Sequence, residues 1–344
     1  MSRKGKTLKD LAARLDISVA TASRALSGHS RIAAATRERV AAAAREIGYV
    51  PNRAARALVS GRSGFAALAL PVRGYGVGDA FLGEFVSGLT AGLGRTGVDL
   101  VLTTVPASRT ELEVIRSLVV GGRADGVVIA RVTEEDPRVD YLTAQRFPFV
   151  AHGRTRDAGA AFSWVDTDGR AAFAEAVDML YALGHRRFGL VTIDEPTTFR
   201  AHREAGLREA LDRRADPSTR LETVAVPRFD RARRAAAVRA MLDRPDRPTA
   251  VLGVFDGIAI GVLEEAARLG LSAPADLSVI GFDNTPEAAL APPGLTTFDS
   301  EIHRSAETMA AMLTRAIADP DAPPETLLVR PPLVARGSHG PAPR

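Results

Sequence analysis

The sequence predicts an all-α head followed by an α/β core of two doubly wound parallel-sheet lobes, and three observations carry that fold class. The first sixty residues space their apolar side chains at helical intervals. From residue 65 onward, short and nearly all-apolar runs alternate with amphipathic helical stretches, the pattern of parallel strands covered on both faces. The alternation continues to about residue 318, more chain than one hydrophobic core organises, so it divides into two lobes.

In the head, Leu8, Leu11, Ala12 and Leu15 stand at i, i+3, i+4 and i+7 and predict a first helix over 7–15. Asp16-Ile17-Ser18 interrupts it, and Ser18 is suited to cap a second helix over 19–26, with Ala22, Ala25 and Leu26 turned inward. Residues 27–30 read as a loop. A third helix is expected over 34–47, burying Val40, Ala43, Ala44 and Ile47 and ending at Gly48, although Ala33 offers no capping hydroxyl. Residues 52–58 are helix-prone but too short to be stable alone. The Ser60-Gly-Arg-Ser-Gly64 stretch reads as a linker, and the domain boundary is placed there.

In the core, strands are expected at 65–70, 98–103, 126–130, 149–151, 188–192, 222–226, 250–253 and 278–281. Helices are expected at 82–95, 111–120, 169–183, 202–212, 231–242, 257–269 and 302–318. In such sheets ligands bind beyond the carboxyl ends of the strands, which in a bilobed molecule is a cleft.

Composition narrows the chemistry. Of 344 residues 46% are hydrophobic and 25% charged, which argues against disordered and fibrous classes. With zero cysteines, disulfides, thiolate nucleophiles and thiolate metal sites are excluded. No apolar run has the length of a membrane span, and the start MSRKGKTLKD leads into charge, so a cytoplasmic protein without membrane association is expected. The net charge of +4 is uneven: residues 1–62 carry 13 Lys and Arg against 4 acids, and the remainder carries 32 against 37. A basic head on a slightly acidic body suits a polyanion partner, although charge alone equally describes a solvated face.

The first two predicted helices have helix-turn-helix spacing. The second presents Val19, Ala20 and Arg24 beside Ser18, Thr21 and Ser23. Arg can pair bidentately with guanine, Val and Ala can touch thymine methyls, and hydroxyls can anchor phosphates. An ordinary three-helix bundle with a polar face gives the same pattern. Catalytic signatures are missing: there is no Gly-x-Ser-x-Gly, no Gly-Lys-Ser/Thr phosphate loop and no His-Glu-x-x-His, and the six histidines show no metal spacing. Asp168 and Asp256 each precede an apolar helix and read as N-caps. Gly74-Tyr-Gly-Val-Gly78 lacks the full dinucleotide fingerprint and reads as a mobile loop. A non-enzyme without metal or cofactor is expected.

The chain resembles the LacI/GalR family of bacterial transcriptional regulators. In the head the match runs through Thr7-Leu-Lys-Asp-Leu-Ala12, Ile17-Ser-Val-Ala-Thr-Ala-Ser-Arg-Ala-Leu26, Thr36-Arg-Glu-Arg-Val40 and Gly48-Tyr-Val-Pro-Asn-Arg-Ala-Ala-Arg-Ala-Leu58. It continues through Pro148-Phe-Val-Ala-His-Gly-Arg154, Val165-Asp-Thr-Asp168, Arg203-Glu-Ala-Gly206, Ser278-Val-Ile-Gly-Phe-Asp283 and Arg336-Gly-Ser338, and so covers nearly the whole chain. The resemblance implies a helix-turn-helix DNA-binding domain over 1–50, a hinge helix and linker over 51–62, and a periplasmic-binding-protein-like core of two lobes over 63–340.

Carried over residue by residue, it assigns Val19, Ala20 and Arg24 to operator bases, and Ser18, Thr21, Ser23 and Thr36 to phosphates. The segment with Asn52, Arg53, Ala55 and Leu58 looks like the family's hinge helix, which orders on DNA. A Leu58 from each of two subunits would then wedge into a central base step of double-stranded DNA from the minor groove. A two-fold dimer implies a pseudo-palindromic operator. In the core, Arg203 matches the family's arginine for ligand hydroxyls or carboxylates, and Asp283 matches the acid opposing it. Phe229 lies where the family often has an aromatic residue, and Phe81, His152 and Arg154 join the candidates near strand ends.

One departure stands out. The family often has Asn-Asp where this chain has Phe255-Asp256, which exchanges an amide for a stacking ring. Ser300 is also short where a polar residue is common. The expectation is a homodimeric repressor of carbohydrate-use genes, switched by a small-molecule, sugar-like effector between the lobes. Its alternatives are control by a partner protein or a non-sugar metabolite, action as an activator, a periplasmic sugar-binding protein, and a sugar-processing enzyme.

Overall fold

The computed structural model describes residues 6–26, 31–49, 61–71, 80–156 and 161–344. The chain divides into two compact units, Met1–Ser63 and Gly64–Arg344. The expected hinge residues Asn52, Arg53, Ala55 and Leu58, and the Gly74–Gly78 loop, lie outside the described residues.

The first unit contains α1 (Leu8–Leu15), α2 (Val19–Leu26) and α3 (Ala34–Ile47). Thr7 and Asp10 close a capping box at the start of α1: each side chain accepts from the other residue's backbone N–H. Gly48 ends α3 at φ +68°, a left-handed conformation that glycine adopts without the Cβ penalty. Leu11, Ala25, Val40, Ala43 and Ala44 form the buried centre, flanked by Leu8, Leu15, Leu26, Ile47 and Tyr49. Such a core is small, and its three helices leave most of their polar faces in solvent.

The second unit begins with β1 (Phe65–Pro71), α4 (Ala80–Gly94), β2 (Asp99–Val105), α5 (Glu111–Val120), β3 (Gly126–Ile129), α6 (Pro137–Ala144), β4 (Phe149–His152) and β5 (Ser163–Thr167). The chain then builds a second lobe from α7 (Gly169–Ala182), β6 (Arg187–Ile193), α8 (Thr198–Asp212), β7 (Arg220–Val226), α9 (Arg231–Leu242), β8 (Ala250–Gly253), α10 (Asp256–Arg268), β9 (Ser278–Ile280), α11 (Pro286–Leu290) and β10 (Thr297–Phe298). It returns with α12 (Ile302–Ala318) and β11 (Thr326–Val329) to the first lobe, and crosses back to β12 (Leu333–Val334).

All pairings in the two main sheets are parallel. The first has strand order β11-β5-β4-β3-β1-β2 and the second β7-β6-β8-β9. Both are doubly wound, with the order reversing beside β1 in one and β6 in the other. Each sheet buries both faces. The first packs around Ile115, Val127 and Leu142 on one side and Leu68, Leu89 and Leu313 on the other. The second packs around Val251, Val262 and Met241 on one side and Phe173, Leu190 and Phe298 on the other.

The predicted fold class is thus the observed one. Beyond the expected elements, the structure adds β5, α6, α11, β11 and the short antiparallel pair β10–β12. The reason is physical. Ser163-Trp-Val-Asp-Thr167 interrupts its apolar run with Asp166, whose carboxylate lies at the cleft, and β11 is an exposed edge strand.

Among the described residues three crossings join the lobes, at 167–169, 298–302 and 329–333. They are tied to one another: Asp168 N–H donates to the Val329 carbonyl at 2.8 Å, and Asp299 N–H to the Pro332 carbonyl at 2.9 Å.

Candidate DNA-reading helix and interlobe cavity

Helix α2 is short and begins at a side-chain cap. Ser18 Oγ accepts the Thr21 N–H at 3.0 Å and lies 2.8 Å from Thr21 Oγ1. Ala22 and Ala25 are buried, and this turns Val19, Ala20 and Arg24 to solvent, with Val19 41% exposed. Thr21 and Ser23 are half-buried beside them, and Thr36 is half-buried in the first turn of α3. An exposed valine beside an alanine, an arginine and hydroxyls presents apolar contact, a fork of donors and phosphate ligands on one helical face. No acid stands in the first turn of α2, so the positive end of the helix dipole is left for anions.

In the second unit a cavity of about 630 Å3 lies beyond the carboxyl ends of the strands of both sheets. The first lobe contributes Phe81 from α4, Arg131 and Val132 after β3, His152 ending β4, and Asp166 and Thr167 ending β5. The second contributes Arg203 from α8, Arg228 after β7, Phe255 before α10 and Asp283 after β9, and Ser300 joins from a crossing.

Arg203 is 7% exposed. Its Nη1 donates to the Val254 carbonyl, its Nη2 lies 3.9 Å from Asp283 Oδ1, and its guanidinium carbon sits 3.6 Å over the Phe282 ring. Its Nε is buried without a hydrogen-bond partner among the described residues. Gly169 makes room for this arrangement, since a Cβ there would stand 2.7 Å from Arg203 Cγ. The orphan Nε packs against the start of α7, 3.1 Å from the Gly169 Cβ position, and a buried donor without a partner is a costly feature.

Across the cleft, His152 lies with its ring centroid 5.9 Å from that of Phe81 and 5.4 Å from that of Phe85. Burial pushes its pKa down, which keeps the imidazole neutral near pH 7, and its Nε2 has no partner among the described residues. Thr167 Oγ1 is likewise unsatisfied. Asp166 Oδ1 accepts the Thr167 N–H at 2.9 Å, while Oδ2 faces Arg154 Nε at 3.1 Å and His202 Nδ1 at 3.7 Å. Neutral imidazole, hydroxyl, carboxylate and guanidinium around one space offer both donors and acceptors, the complement a polyol needs.

Beside β8, Phe255 is half-buried with the Arg228 guanidinium carbon 5.2 Å from its ring centroid. The lobes also touch directly, since the Val132 carbonyl accepts the Thr198 N–H at 2.9 Å and the Thr198 hydroxyl at 3.2 Å.

The structure therefore brings Phe81, His152, Arg203, Phe255 and Asp283 to one cavity. Arg154 stands outside the lining, behind Asp166 and over Trp164. Phe229 is 42% exposed and also outside it, so the aromatic rings that the second lobe brings to the cavity are Phe199 and Phe255.

Asp256 is a correction. Asp168 does cap α7 through the Ala171 N–H, but the N-cap of α10 is Phe255, which has no side-chain cap bond. Asp256 is buried within the first turn, where Oδ1 accepts Thr297 Oγ1–H at 2.6 Å and Oδ2 accepts the Thr285 N–H at 2.8 Å. It fastens the loop after β9, which carries Asp283. Burial raises its pKa to about 6, against these hydrogen bonds.

The lining residues that sequence reasoning missed include Thr167, Phe199, Arg228, Arg231, Arg234 and Glu264. Thr167 and Arg228 stand at or within two residues of a strand end, a placement that could have flagged them.

Comparison with known proteins places the chain. Residues 7–52 match the model of bacterial regulatory proteins of the lacI family, and residues 177–339 match a periplasmic binding protein-like domain. The HTH-type transcriptional regulator AglR of Rhizobium meliloti (strain 1021) is 35% identical over 343 residues, covering 98% of this chain and 95% of AglR. The chain belongs to the LacI family. It is accordingly a DNA-binding transcriptional regulator, from a family of regulators rather than enzymes. Among solved LacI-family structures, the transcriptional regulator CelR–cellobiose complex is similar at 27% identity and TM-score 0.70, over 97% of this chain and 99% of CelR. The lac repressor dimer bound to operator and the anti-inducer ONPF shares the fold at 23% identity and TM-score 0.81, over 97% of this chain and 99% of that one.

Proposed function

We propose that this LacI-family regulator is a homodimeric, cytoplasmic repressor of carbohydrate-use genes, whose operator affinity is switched by a sugar held between the lobes. The observation that carries the effector reading is the cavity itself. Arg203 and Asp283 from one lobe and His152 and Thr167 from the other line a single space of about 630 Å3. Vicinal hydroxyls donate and accept over short distances, and such a wall satisfies them from both sides.

In the head, Val19, Ala20 and Arg24 read bases, while Ser18, Thr21, Ser23 and Thr36 hold phosphates. Residues 51–62 act as the hinge, with Asn52, Arg53 and Ala55 among its DNA-binding residues and Leu58 in the minor groove. A sugar that binds one interlobe angle more tightly than another shifts the equilibrium by that difference, typically about 1–3 kcal/mol. The pairing of this cavity with a DNA-binding head favours the reading. So does the likeness to CelR, a regulator solved with cellobiose.

Selection of bound sequences from random duplex DNA, repeated with a sugar panel, tests it. A pseudo-palindromic consensus whose occupancy changes with one sugar is the expected outcome. A consensus unaffected by every sugar, together with a protein partner that alters occupancy, would move control from a metabolite to that partner.

A further inference from the structure

Asp283 and Asn284 are consecutive non-glycine residues with positive φ, +113° and +53°. Asparagine tolerates the left-handed conformation, whereas the aspartate backbone persists only where its surroundings over-determine it. Asp283 lines the large cavity and Asn284 does not. Asn284 instead lines a second space of about 320 Å3 at the junction of the lobes, together with Phe81 and Glu84 of α4 and Ile302 of α12.

There its single amide makes two different bonds. Nδ2 donates to Asp299 Oδ2 at 3.0 Å, and Oδ1 accepts Arg336 Nη2–H at 2.6 Å. One planar group thus gives a donor to a carboxylate and an acceptor to a cation. Asp299 lies in the 298–302 crossing, and its Oδ1 accepts the Glu301 N–H at 2.8 Å. Glu301, itself at φ +46°, leads directly into α12 of the first lobe. Arg336 follows the 329–333 crossing. Its Nη1 donates to the Leu295 carbonyl at 2.7 Å and its N–H to Thr296 Oγ1 at 2.9 Å, just before β10 enters the 298–302 crossing.

We propose that Asn284 is the hinge clamp of the core: its amide fastens the cavity loop to both of these crossings, so that the backbone at Asp283 and the angle between the lobes move as one. A loop that shifts to meet a ligand then carries Asp299 and the start of α12 with it, and a small change at the wall becomes a rotation of one lobe. Asn284 is a positioning residue that acts through Asp283. The clamp works alike for any ligand that engages Asp283, so it does not depend on the effector being a sugar.

The chain has zero cysteines, so an introduced pair takes dyes at those two positions alone. Thr143→Cys on α6 and Ala236→Cys on α9 place them at exposed sites on different lobes. Labelled full-length chain, diluted into excess unlabelled chain, reports the interlobe distance by single-molecule energy transfer. Asn284→Asp is nearly isosteric and keeps an acceptor for Arg336, but it sets a second carboxylate against Asp299. About a tenth or more of the molecules are expected to move to a new distance. Adding Asp299→Asn reverses donor and acceptor, restores the bond and returns the parent distribution. Arg336→Gln cuts the other link, moves the distribution as well, and reads the clamp where Asn284→Asp folds poorly. Urea midpoints of the same proteins separate a released clamp from a partly unfolded lobe.

The clamp is overturned if a folded Asn284→Asp or Arg336→Gln protein keeps the parent distribution. It is likewise overturned if Asp299→Asn fails to reverse the change caused by Asn284→Asp.

Discussion

Arg203 and Asp283 meet at the wall of the cavity with Nη2 3.9 Å from Oδ1, at the outer limit of an ion pair. Neither is a surface ion pair, since their side chains are 8% and 11% exposed. Arg203 is fixed instead by the Val254 carbonyl and the Phe282 ring. Asp283 sits at φ +113°, a backbone conformation that L-residues rarely adopt, held by the N–H of Asp283 on the Phe298 carbonyl at 2.8 Å.

Arg203→Ala removes a buried cation together with its packing, so it is expected to cost about 3 kcal/mol of stability. Sugar affinity falls at least about tenfold. Arg203→Lys keeps the charge without the planar fork, so stability should be largely kept while affinity falls. Denaturant midpoints and calorimetry separate the two effects. Unchanged affinity in the lysine variant would remove Arg203 from the effector site.

At Phe255 the relevant change is to asparagine, the residue that the family resemblance leads one to expect there. Phe255→Asn replaces a stacking ring with an amide, and altered effector selectivity is expected across a sugar panel, with little change in operator affinity without sugar. Identical sugar affinities in both proteins would show that the ring does not touch the effector.

For Arg24, exposed on α2, the expected effect of Arg24→Ala is loss of discrimination at one base pair in each half-site, about 1–3 kcal/mol. Binding to a full set of single-base operator variants measures this. Equal weakening at every position would assign Arg24 to the phosphate backbone.

Asp256 makes stability depend on pH. Its carboxyl titrates near 3.8 when unfolded and at about 6 when folded, so the folded state holds a proton that the unfolded state has lost. The contribution of this group is therefore greatest below pH 4, falls as pH rises toward 6 and stays low above it. A shift of about two units corresponds to about 3 kcal/mol. Asp256→Asn should flatten that slope, which urea denaturation at pH 4 and 7 would reveal. An unchanged difference between the two pH values would place the titration elsewhere.

Much of the fold is legible in the sequence where periodicity and position coincide. Helical spacing alone puts Leu11, Ala25 and Val40 in the head core, and the alternation of apolar runs with helices implies two doubly wound lobes. Legibility fails where side chains answer to tertiary partners. Asp256 precedes an apolar helix as an N-cap does, but its partners Thr285 and Thr297 come from loops far along the chain. Phe229 and Phe255 are both aromatic residues next to helix starts, and only the packed lobe shows that Phe255 lines the cavity. Arg231 and Arg234 look in sequence like one solvated arginine run, because the cavity edge they share is made by α10.

The most direct measurement is fluorescence anisotropy of the full chain on its selected duplex and on bulk competitor DNA, at moderate salt, with and without each of a panel of sugars at saturating concentration. A preference of at least about 10³-fold for the selected duplex is expected. One sugar is expected to change that affinity about tenfold or more. Equal binding to every duplex, unaltered by any sugar, would contradict both expectations.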